Sequence, residues 1–424
     1  MKTKPNSLNI GKLMLVVISL VFQQSRAQTA YLYQVGEKDS IFSNVLQESR
    51  EIYIQIPESY QSNPNRTYPV AYILDGDVFL PTLSNVHNFY SGGFMPEMVL
   101  IGISNAKNRT RDLTTSKITS RRGMPYNEEN GEAENFLKFI ETELIPYVER
   151  TYPVTNYRTL IGHSYGGLFT IFTLINKPEL FANYVSIDPS LDWDDQMVLK
   201  QAEKVFKEKS FEGKALYVSL SGQLHMQNQE VTIDNVMEDT SDYTLFARSN
   251  IMLSRIIEES PKNNLYYKWQ FYPNDLHGTI PQPSIKDGMI SLFTWFQMEN
   301  TDKFNDPDTP KDELKNMIEF RANKLENHFG YSVPPFPEDL LNGLGYMNID
   351  MHQLDKSKLY FEQAIKYYPK SANAYDSMAD YYLATNNNEK ALQMLALAYQ
   401  LSGNTYYKER MLKLKISTYI LEIS

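Results

Sequence analysis

The middle of the chain, about residues 30–298, alternates short β-rich apolar runs with longer helical segments. A polar turn separates the first two runs, so we expect them to pair antiparallel. From the third run onward, the runs are apolar and their connections are long enough for crossover helices. This pattern predicts an α/β fold: an eight-stranded, mostly parallel sheet with helices on both faces. The predicted strands are 40–45, 51–56, 68–74, 98–103, 158–161, 184–187, 215–220 and 265–272.

The N-terminal 27 residues have the pattern of a secretory signal. Lysines precede an apolar run at 13–22, and Ser25-Arg26-Ala27 offers a cleavage site between small residues. The apolar run is shorter than a membrane-spanning helix requires. We therefore expect a signal peptide over 1–27, a secreted or periplasmic protein, and no stable membrane span after cleavage.

Toward the C-terminus, similar apolar and small residues recur 34 residues apart, over about 337–403. This is the period of the tetratricopeptide repeat, a pair of packed helices. The segment resembles a degenerate tandem of that family, with Asn348 where a Tyr is expected. We predict tetratricopeptide-like helical repeats over 337–424, flanked by helices at about 310–327 and 405–421, with a surface for a protein partner. The segment 299–336 is predicted to be a linker and connecting helix that follows the α/β domain, 28–298.

Charge and cysteine content exclude several classes of protein. The chain has 41 Lys and Arg against 51 Asp and Glu, a formal net charge of −10. Nucleic-acid binding depends on basic surface, so nucleic acid is not an expected partner. The absence of cysteine excludes disulfides, thiolate metal sites and a Cys nucleophile. Since no H-E-x-x-H pattern is present either, we expect no metal and no cofactor.

The segment 162–166, Gly-His-Ser-Tyr-Gly, follows the fifth predicted strand and precedes an apolar helical run. It matches the G-x-S-x-G nucleophile elbow in the strand-turn-helix context that this motif requires. The sharp turn strains the backbone of Ser164, and a Cβ at Gly162 or Gly166 would collide with neighbouring backbone. Ser164 is therefore the candidate nucleophile, and the alternative is a tight turn without chemistry.

A serine hydroxyl needs an adjacent base to attack at neutral pH. His277 lies just past the last predicted strand, where that base belongs, and the alternative is a surface-loop histidine. The third member should be an acid after the seventh strand, but no carboxylate follows there directly. Asp239 is marginally preferred, with Asp188, Glu230 and Asp234 as alternatives. A serine–histidine pair without an acid also stays open.

The oxyanion hole and the pocket walls have weaker candidates. The Tyr165 amide should point to where an oxyanion forms, because it lies at the N-terminus of the helix after Ser164. The loop after the third strand should give a second donor, with the Asp77 amide preferred and Gly76 next. Trp193 and Arg111 are candidate substrate-binding residues, but packing for Trp193 and a structural ion pair for Arg111 explain them equally well.

Five segments carry a resemblance to a known family: 72–76, 108–113, 160–167, 187–191 and 277–278. Spread over about 68–280, they resemble the α/β-hydrolase fold and, within it, the Putative esterase (esterase D-like) family, which includes siderophore esterases. The resemblance implies a serine carboxylic-ester hydrolase with Ser164 as nucleophile and His277 as general base. The substrate it implies is a small-molecule or glycan-linked ester.

Two other functions stay open at this point. The absence of an acid after the seventh strand and the added repeats would suit a hydrolase fold that has lost catalysis and recruits a partner. An acyltransferase would use the same serine to pass an acyl group to a sugar or lipid hydroxyl.

Overall fold

The computed structural model describes residues 35–62, 66–225, 227–228 and 230–423. The chain divides into two compact units, one ending at Trp295 and the other beginning at Phe296. The predicted signal peptide, 1–27, lies outside the described residues. Within the described part of the chain, no helix is long and apolar enough to cross a membrane.

The first unit contains the ten strands of the described residues. They are β1 Glu37–Ser43, β2 Glu48–Gln55, β3 Tyr68–Leu74, β4 Val99–Ile103, β5 Ser120–Arg121, β6 Met124–Pro125, β7 Val154–His163, β8 Asn183–Ile187, β9 Ala215–Ser221 and β10 Tyr266–Tyr272. Eight of them form one mixed sheet in the order β1-β2-β4-β3-β7-β8-β9-β10, and β5 and β6 form a separate short hairpin.

The sheet has the predicted α/β character. β2 pairs antiparallel with β1 and β4, and the remaining neighbours pair parallel. The eight predicted strands are present, and the antiparallel pairing of the first two is confirmed. β3, β4 and β8 are buried along their whole length, as expected for strands covered on both faces.

Nine helices of the first unit connect and cover these strands. They are α1 Ser59–Ser62, α2 Gly76–Tyr90, α3 Arg109–Leu113, α4 Ala133–Phe139, α5 Ile145–Thr151, α6 Tyr165–Asn176, α7 Met197–Glu208, α8 Leu245–Glu258 and α9 Pro281–Leu292. A π-helical turn, Ile140–Leu144, joins α4 to α5. α6 is the most apolar of the long ones, and its residues from Gly166 to Ile175 are all buried.

The parallel strands end at a common edge of the sheet, where ligands and chemistry gather in such folds. β3, β7 and β8 are neighbours in the sheet. The residues that directly follow them are Asp75, Ser164 and Asp188. All three have positive φ, so each strand turns sharply as it leaves the sheet.

The second unit is helical. Its helices are α10 Thr301–Asn305, α11 Lys311–Phe329, α12 Glu338–Asp350, α13 Leu354–Tyr367, α14 Ala372–Ala384, α15 Asn388–Ser402 and α16 Thr405–Ile423. α12 and α14 begin 34 residues apart, as do α13 and α15. α12 approaches α13 closely, since a Cβ at Gly345 would lie 2.3 Å from the Phe361 ring. A C-terminal helical domain is therefore present; its tetratricopeptide character and its protein partner stay predictions.

Candidate active site

Ser164 occupies the turn between β7 and α6. Its backbone, at φ 61° and ψ −114°, is one that non-glycine residues rarely adopt, at a cost of about 1–3 kcal/mol. Its amide donates to the carbonyl oxygen of Ile187 at 2.9 Å, which ties the turn to β8. A Cβ at Gly162 would lie 2.2 Å from the carbonyl oxygen of Gly166, so the turn requires glycine there. The surrounding structure thus holds the strained turn in place.

His277 lies in the loop after β10, and its imidazole reaches the Ser164 hydroxyl. Nε2 of His277 is 3.0 Å from Oγ of Ser164. The His277 amide donates to Oε1 of Gln223 at 3.1 Å, and the ring packs edge-on against Phe246 with centroids 5.4 Å apart. The structure therefore brings together the serine and histidine that the sequence singled out.

The carboxylate beside His277 belongs to Asp188, at the end of β8. Oδ2 of Asp188 is 2.7 Å from Nδ1 of His277, and Oδ1 accepts the amide hydrogen of Ser221 at 3.0 Å. Asp188 is fully buried, with φ 44°. Both carboxylate oxygens are therefore hydrogen-bonded, which a buried carboxylate requires. Ser164, His277 and Asp188 form one continuous chain of hydrogen bonds.

The preference for Asp239 is corrected by this geometry. The Asp239 carboxylate accepts the Ser241 amide hydrogen at 2.6 Å, and hydrogen bonding to Ser241 lowers its pKa. The alternatives Glu230 and Asp234 are exposed side chains on the same insertion. None of the three is bonded to His277, whose Nδ1 is taken by Asp188. The carboxylate bonded to His277 thus follows β8, the neighbour of β7 in the sheet, and not β9.

A cavity of about 390 Å³ opens over Ser164 and His277. Its lining residues are Arg121, Arg122, Ser164, Tyr165, Ser190, Ser221, Gln223, Leu224, Tyr243, Phe246 and His277. Arg121 and Arg122 come from the β5–β6 hairpin, and each places Nη2 against Oδ2 of Asp192, at 3.2 and 3.3 Å. Because one carboxylate faces two guanidinium groups, this wall carries net positive charge.

Neither of the two residues predicted to bind substrate, Arg111 and Trp193, lines the cavity. The Arg111 guanidinium pairs with Glu48 and Asp112 at 2.8 Å, so its expected substrate role is corrected: it is a structural ion pair. Trp193 is 1% exposed and donates from Nε1 to the carbonyl oxygen of Ser116 at 3.0 Å. Its ring packs against Tyr165, so Trp193 supports the cavity from behind and does not line it.

Sequence analysis missed Arg121 and Arg122. Their hairpin has strands of only two residues, too short for any hydrophobic alternation. The sequence feature that could have indicated a turn here is Gly123 after Arg121 and Arg122, since glycine favours tight hairpin turns. In the structure, Arg122 and Gly123 both have positive φ.

The predicted oxyanion donors lie at two helix starts. Tyr165 is the first residue of α6, and Gly76 and Asp77 begin α2 directly after β3. In α2 the first backbone bond is from the Val78 amide to the Asp75 carbonyl oxygen, at 2.9 Å. The amides before it have no acceptor within the helix. Tyr165 lines the cavity, whereas Gly76 and Asp77 do not, and all three roles stay predictions.

His163, directly before Ser164, is 8% exposed and contacts the His277 loop. Its Nε2 donates to the backbone carbonyl oxygen of His277 at 2.8 Å, and the two rings lie 4.6 Å apart. Burial, aided by the neighbouring His277 and Arg109, lowers the pKa of His163 to about 3. His163 therefore stays neutral at physiological pH.

This burial predicts a pH-dependent stability. Unfolded, His163 has the ordinary histidine pKa of about 6.5 and takes up a proton as pH falls, whereas the folded protein does not until near pH 3. The free energy of unfolding should therefore fall by up to about 2 kcal/mol between pH 7 and pH 5 through this group. His163→Gln keeps an N–H donor but cannot take up a proton, so it should remove this contribution to the pH dependence of the free energy of unfolding. Urea unfolding followed by tryptophan fluorescence measures it, because Trp193, Trp269 and Trp295 all lie in the first unit.

The exposed His352 of the second unit provides the matched control. His352→Gln should leave the pH dependence of the fluorescence transition unchanged. Equal pH dependence in wild type and His163→Gln would contradict the prediction.

Among the described residues, no group of three or more His, Asp or Glu side chains is arranged to hold a metal ion. The hydrogen-bonded side chains at the site supply a hydroxyl, an imidazole and a carboxylate. A neutral imidazole that donates from Nδ1 to the carboxylate presents its Nε2 lone pair to the hydroxyl.

The mostly parallel sheet and the serine–histidine–aspartate arrangement at its carboxyl edge define the α/β-hydrolase class. Residues 43–253 match the model of the family described as Putative esterase. Ferri-bacillibactin esterase BesA of Bacillus subtilis is 30% identical over 209 residues, which cover 45% of this chain and 72% of that protein. The chain belongs to the Putative esterase family.

Other relatives extend this comparison. The siderophore enterobactin esterase of Emericella nidulans is 28% identical over 184 residues, covering 40% of this chain and 59% of that protein. An IroE-like serine hydrolase from Shewanella oneidensis has a TM-score of 0.59 at 23% identity, covering 87% of this chain and 100% of its own. Siderophore hydrolase EstB from Aspergillus nidulans has a TM-score of 0.51 at 20% identity, and the match covers 62% of this chain and 96% of that one. At these identities the solved structures show a common fold.

Proposed function

We propose that this protein is a serine esterase that cleaves carboxylic esters through an acyl-enzyme on Ser164. The observation that carries the proposal is the hydrogen-bonded chain from Ser164 Oγ through His277 to Asp188, at 3.0 and 2.7 Å. Family membership and the esterase names of the relatives support it.

In the first half-reaction, His277 acts as general base. Its Nε2 takes the proton of Ser164 as Oγ attacks the ester carbonyl carbon, and the carbonyl oxygen becomes an oxyanion. Buried Asp188 accepts the Nδ1 hydrogen and stabilises the imidazolium that forms. The intermediate collapses when the C–O bond to the alcohol breaks, and Nε2 returns its proton to the departing oxygen. In the second half-reaction, water replaces the alcohol and the same steps release the acid and free Ser164.

The oxyanion requires donors that are already in place. The Tyr165 amide, in the unpaired first turn of α6, suits this role. The Asp77 or Gly76 amide, at the start of α2, is the proposed second donor. Each such donor is worth about 10²–10³ in rate.

For the substrate, we propose an anionic small-molecule ester of the siderophore class. The relatives are named as esterases for ferri-bacillibactin and enterobactin. The cavity combines the guanidinium groups of Arg121 and Arg122 with the aromatic rings of Tyr243 and Phe246. Such a wall attracts an acyl group that carries negative charge and aromatic surface. We also propose export through the predicted signal over 1–27, which would give the enzyme access to siderophores outside the cytoplasm.

The test uses the purified full chain with two esters: a tri-catecholate lactone, with and without iron, and neutral nitrophenyl acetate. Wild type should open the lactone to a linear hydroxy acid that is one water heavier, and should release acetate and nitrophenol from the neutral ester, both detected by mass spectrometry. Arg122→Gln should raise KM for the anionic lactone about fivefold, because a half-exposed charge pair is worth about 1 kcal/mol. KM for the neutral ester should change less than twofold.

Lys117→Gln is the matched control, since Lys117 is an exposed cation outside the cavity lining. It should leave both KM values unchanged. Failure to turn over any ester would refute the esterase proposal. Equal KM changes for the anionic and neutral esters would refute only the anionic substrate.

A further inference from the structure

The helical unit contains a second cavity, of about 260 Å³, whose wall includes Arg321 of α11. At roughly 30 Å³ per water molecule, this is space for about nine waters. It lies wholly within the residues from Phe296 onward, and it shares no lining residue with the cavity over Ser164. The proposed esterase mechanism makes no use of it.

Arg321 is a buried cation without a carboxylate partner. It is 8% exposed, and its guanidinium carbon lies between the rings of Phe296 and Phe336, at 5.2 and 5.4 Å from their centroids. Nε donates to the carbonyl oxygen of Pro335 at 2.6 Å, and Nη1 to that of Gln297 at 3.2 Å. Among the described residues, no group pairs with Nη2. Two carbonyl dipoles hold the guanidinium in place but do not neutralise its charge.

Burial lowers the pKa of Arg321 to about 10, so the group is still a cation at neutral pH. The charge of Glu299 opposes this lowering, but its carboxylate is bonded to Lys324 and not to the guanidinium. A buried charge without a directly bonded counter-ion is costly, and proteins usually pair such charges. An anion in the cavity would supply the missing partner.

The remainder of the cavity lining adds to the positive charge and supplies apolar surface. Lys324 lies one turn further along α11, and its Nζ pairs with Oε1 of Glu299 at 2.5 Å. Glu299 is the only carboxylate among the lining residues, so the cavity has two cations for one anion. Phe304 and Phe320 also line it, and the Phe320 side chain is 59% exposed.

We propose that this cavity binds a small carboxylate with an aryl or alkyl body. The carboxylate would accept from Nη2 of Arg321 and lie near the Lys324 ammonium, with the apolar body against Phe304 and Phe320. The volume suits about ten non-hydrogen atoms, the size of a benzoate. The apolar walls favour such a monoanion over inorganic phosphate, which carries more charge and has no apolar surface to bury.

The experiment is a calorimetric titration of the full chain with benzoate, with the neutral isostere benzamide, and with inorganic phosphate. Wild type should bind benzoate at least tenfold more tightly than either of the others. Asn316→Trp places a large side chain at an exposed lining position of α11 and should weaken benzoate binding at least tenfold. Arg321→Met should do the same by removing the charge.

Asn323→Trp is the matched control: the same substitution, on the same helix, at an exposed residue outside the lining. It should bind benzoate as wild type does. If Arg321→Met does not fold, Asn316→Trp still decides the matter, because it leaves the guanidinium in place. The proposal is overturned if benzoate does not bind, if it binds no more tightly than benzamide or phosphate, or if Asn316→Trp binds it as well as wild type does. The last outcome would locate binding elsewhere, such as over Ser164.

Discussion

Replacement of Ser164 by alanine is expected to lower kcat/KM for ester hydrolysis by about 10⁵- to 10⁶-fold, the scale seen when a triad serine is lost. Three serines, Ser164, Ser190 and Ser221, line the catalytic cavity. Of these, Ser164 is the one whose hydroxyl is bonded to the His277 imidazole, at 3.0 Å. Without that Oγ no acyl-enzyme can form, and only water attack within the bound complex remains. Initial rates on nitrophenyl acetate, and labelling by a fluorophosphonate probe, measure the effect.

Ser190→Ala is the control for this prediction. Its Oγ lies 3.3 Å from that of Ser164, but it has no bond to the imidazole. A fluorophosphonate should therefore still label Ser190→Ala and should not label Ser164→Ala. Labelling of Ser164→Ala at the wild-type rate would show that another residue is the nucleophile.

The parts of the site that the sequence predicted are those that a few adjacent residues specify. The elbow needs a glycine at 162, because a Cβ there would lie 2.2 Å from the carbonyl oxygen of Gly166. The collision expected for a Cβ at Gly166 is wrong, since that Cβ would make only ordinary contact with Leu74 at 3.5 Å. Five adjacent residues therefore determine most of the conformation of this turn. His277 could be predicted because it lies in the loop after the last strand of a mostly parallel sheet, and the carboxyl ends of parallel strands share one edge.

The position of the acid could not be predicted in the same way. Ser221, at the end of β9, turns its amide toward Asp188, so that strand contributes an N–H donor where an acid was expected. Asp188 reaches His277 because β8 lies between β7 and β9 and because its backbone turns at φ 44°. This depends on strand order and on one dihedral angle, and neither has a sequence pattern of its own.

The roles of charged residues, like the position of the acid, depend on contacts between residues that are distant in the chain. Arg111 and Arg121 are both arginines in polar stretches, and sequence analysis selected Arg111 and missed Arg121. Arg111 forms an ion pair with Glu48, which lies on a strand that is distant in the chain. The Arg121 guanidinium stacks on Tyr165 and Trp193 beside the cavity. Pairing between distant residues decides which arginine is part of an internal ion pair and which lines the cavity.

The presence of Asp188 beside His277 also bears on the competing functions. The expectation of a non-catalytic binding protein rested on the absence of an acid and on the added helical domain. The first reason no longer holds, and the helical domain is compatible with either function. An acyltransferase would use the same three residues, and product analysis with added alcohol acceptors would distinguish transfer from hydrolysis.

Asp188→Asn is expected to lower kcat by about 10⁴-fold while leaving KM for a neutral ester nearly unchanged. The asparagine amide would present an N–H to Nδ1 of His277, which favours the tautomer that carries its hydrogen on Nε2. That nitrogen could then no longer take the Ser164 proton. Loss of the carboxylate charge would also leave the imidazolium of the transition state without its partner at 2.7 Å. Steady-state kinetics on nitrophenyl acetate, with a thermal melt to check folding, measures the change.

Asp239→Asn is the matched control, because it makes the same chemical change at the acid that sequence analysis preferred. Its carboxylate is bonded to the Ser241 amide, so the substitution should change kcat less than twofold. If Asp239→Asn lost activity while Asp188→Asn kept it, the insertion after β9 would have to rearrange during catalysis to bring Asp239 to His277. If both variants kept full activity, Ser164 and His277 would work as a pair without an acid. Only a large, selective loss in Asp188→Asn fits a buried carboxylate that orients the histidine, because orientation depends on contact with Nδ1 and not on the net charge of the loop.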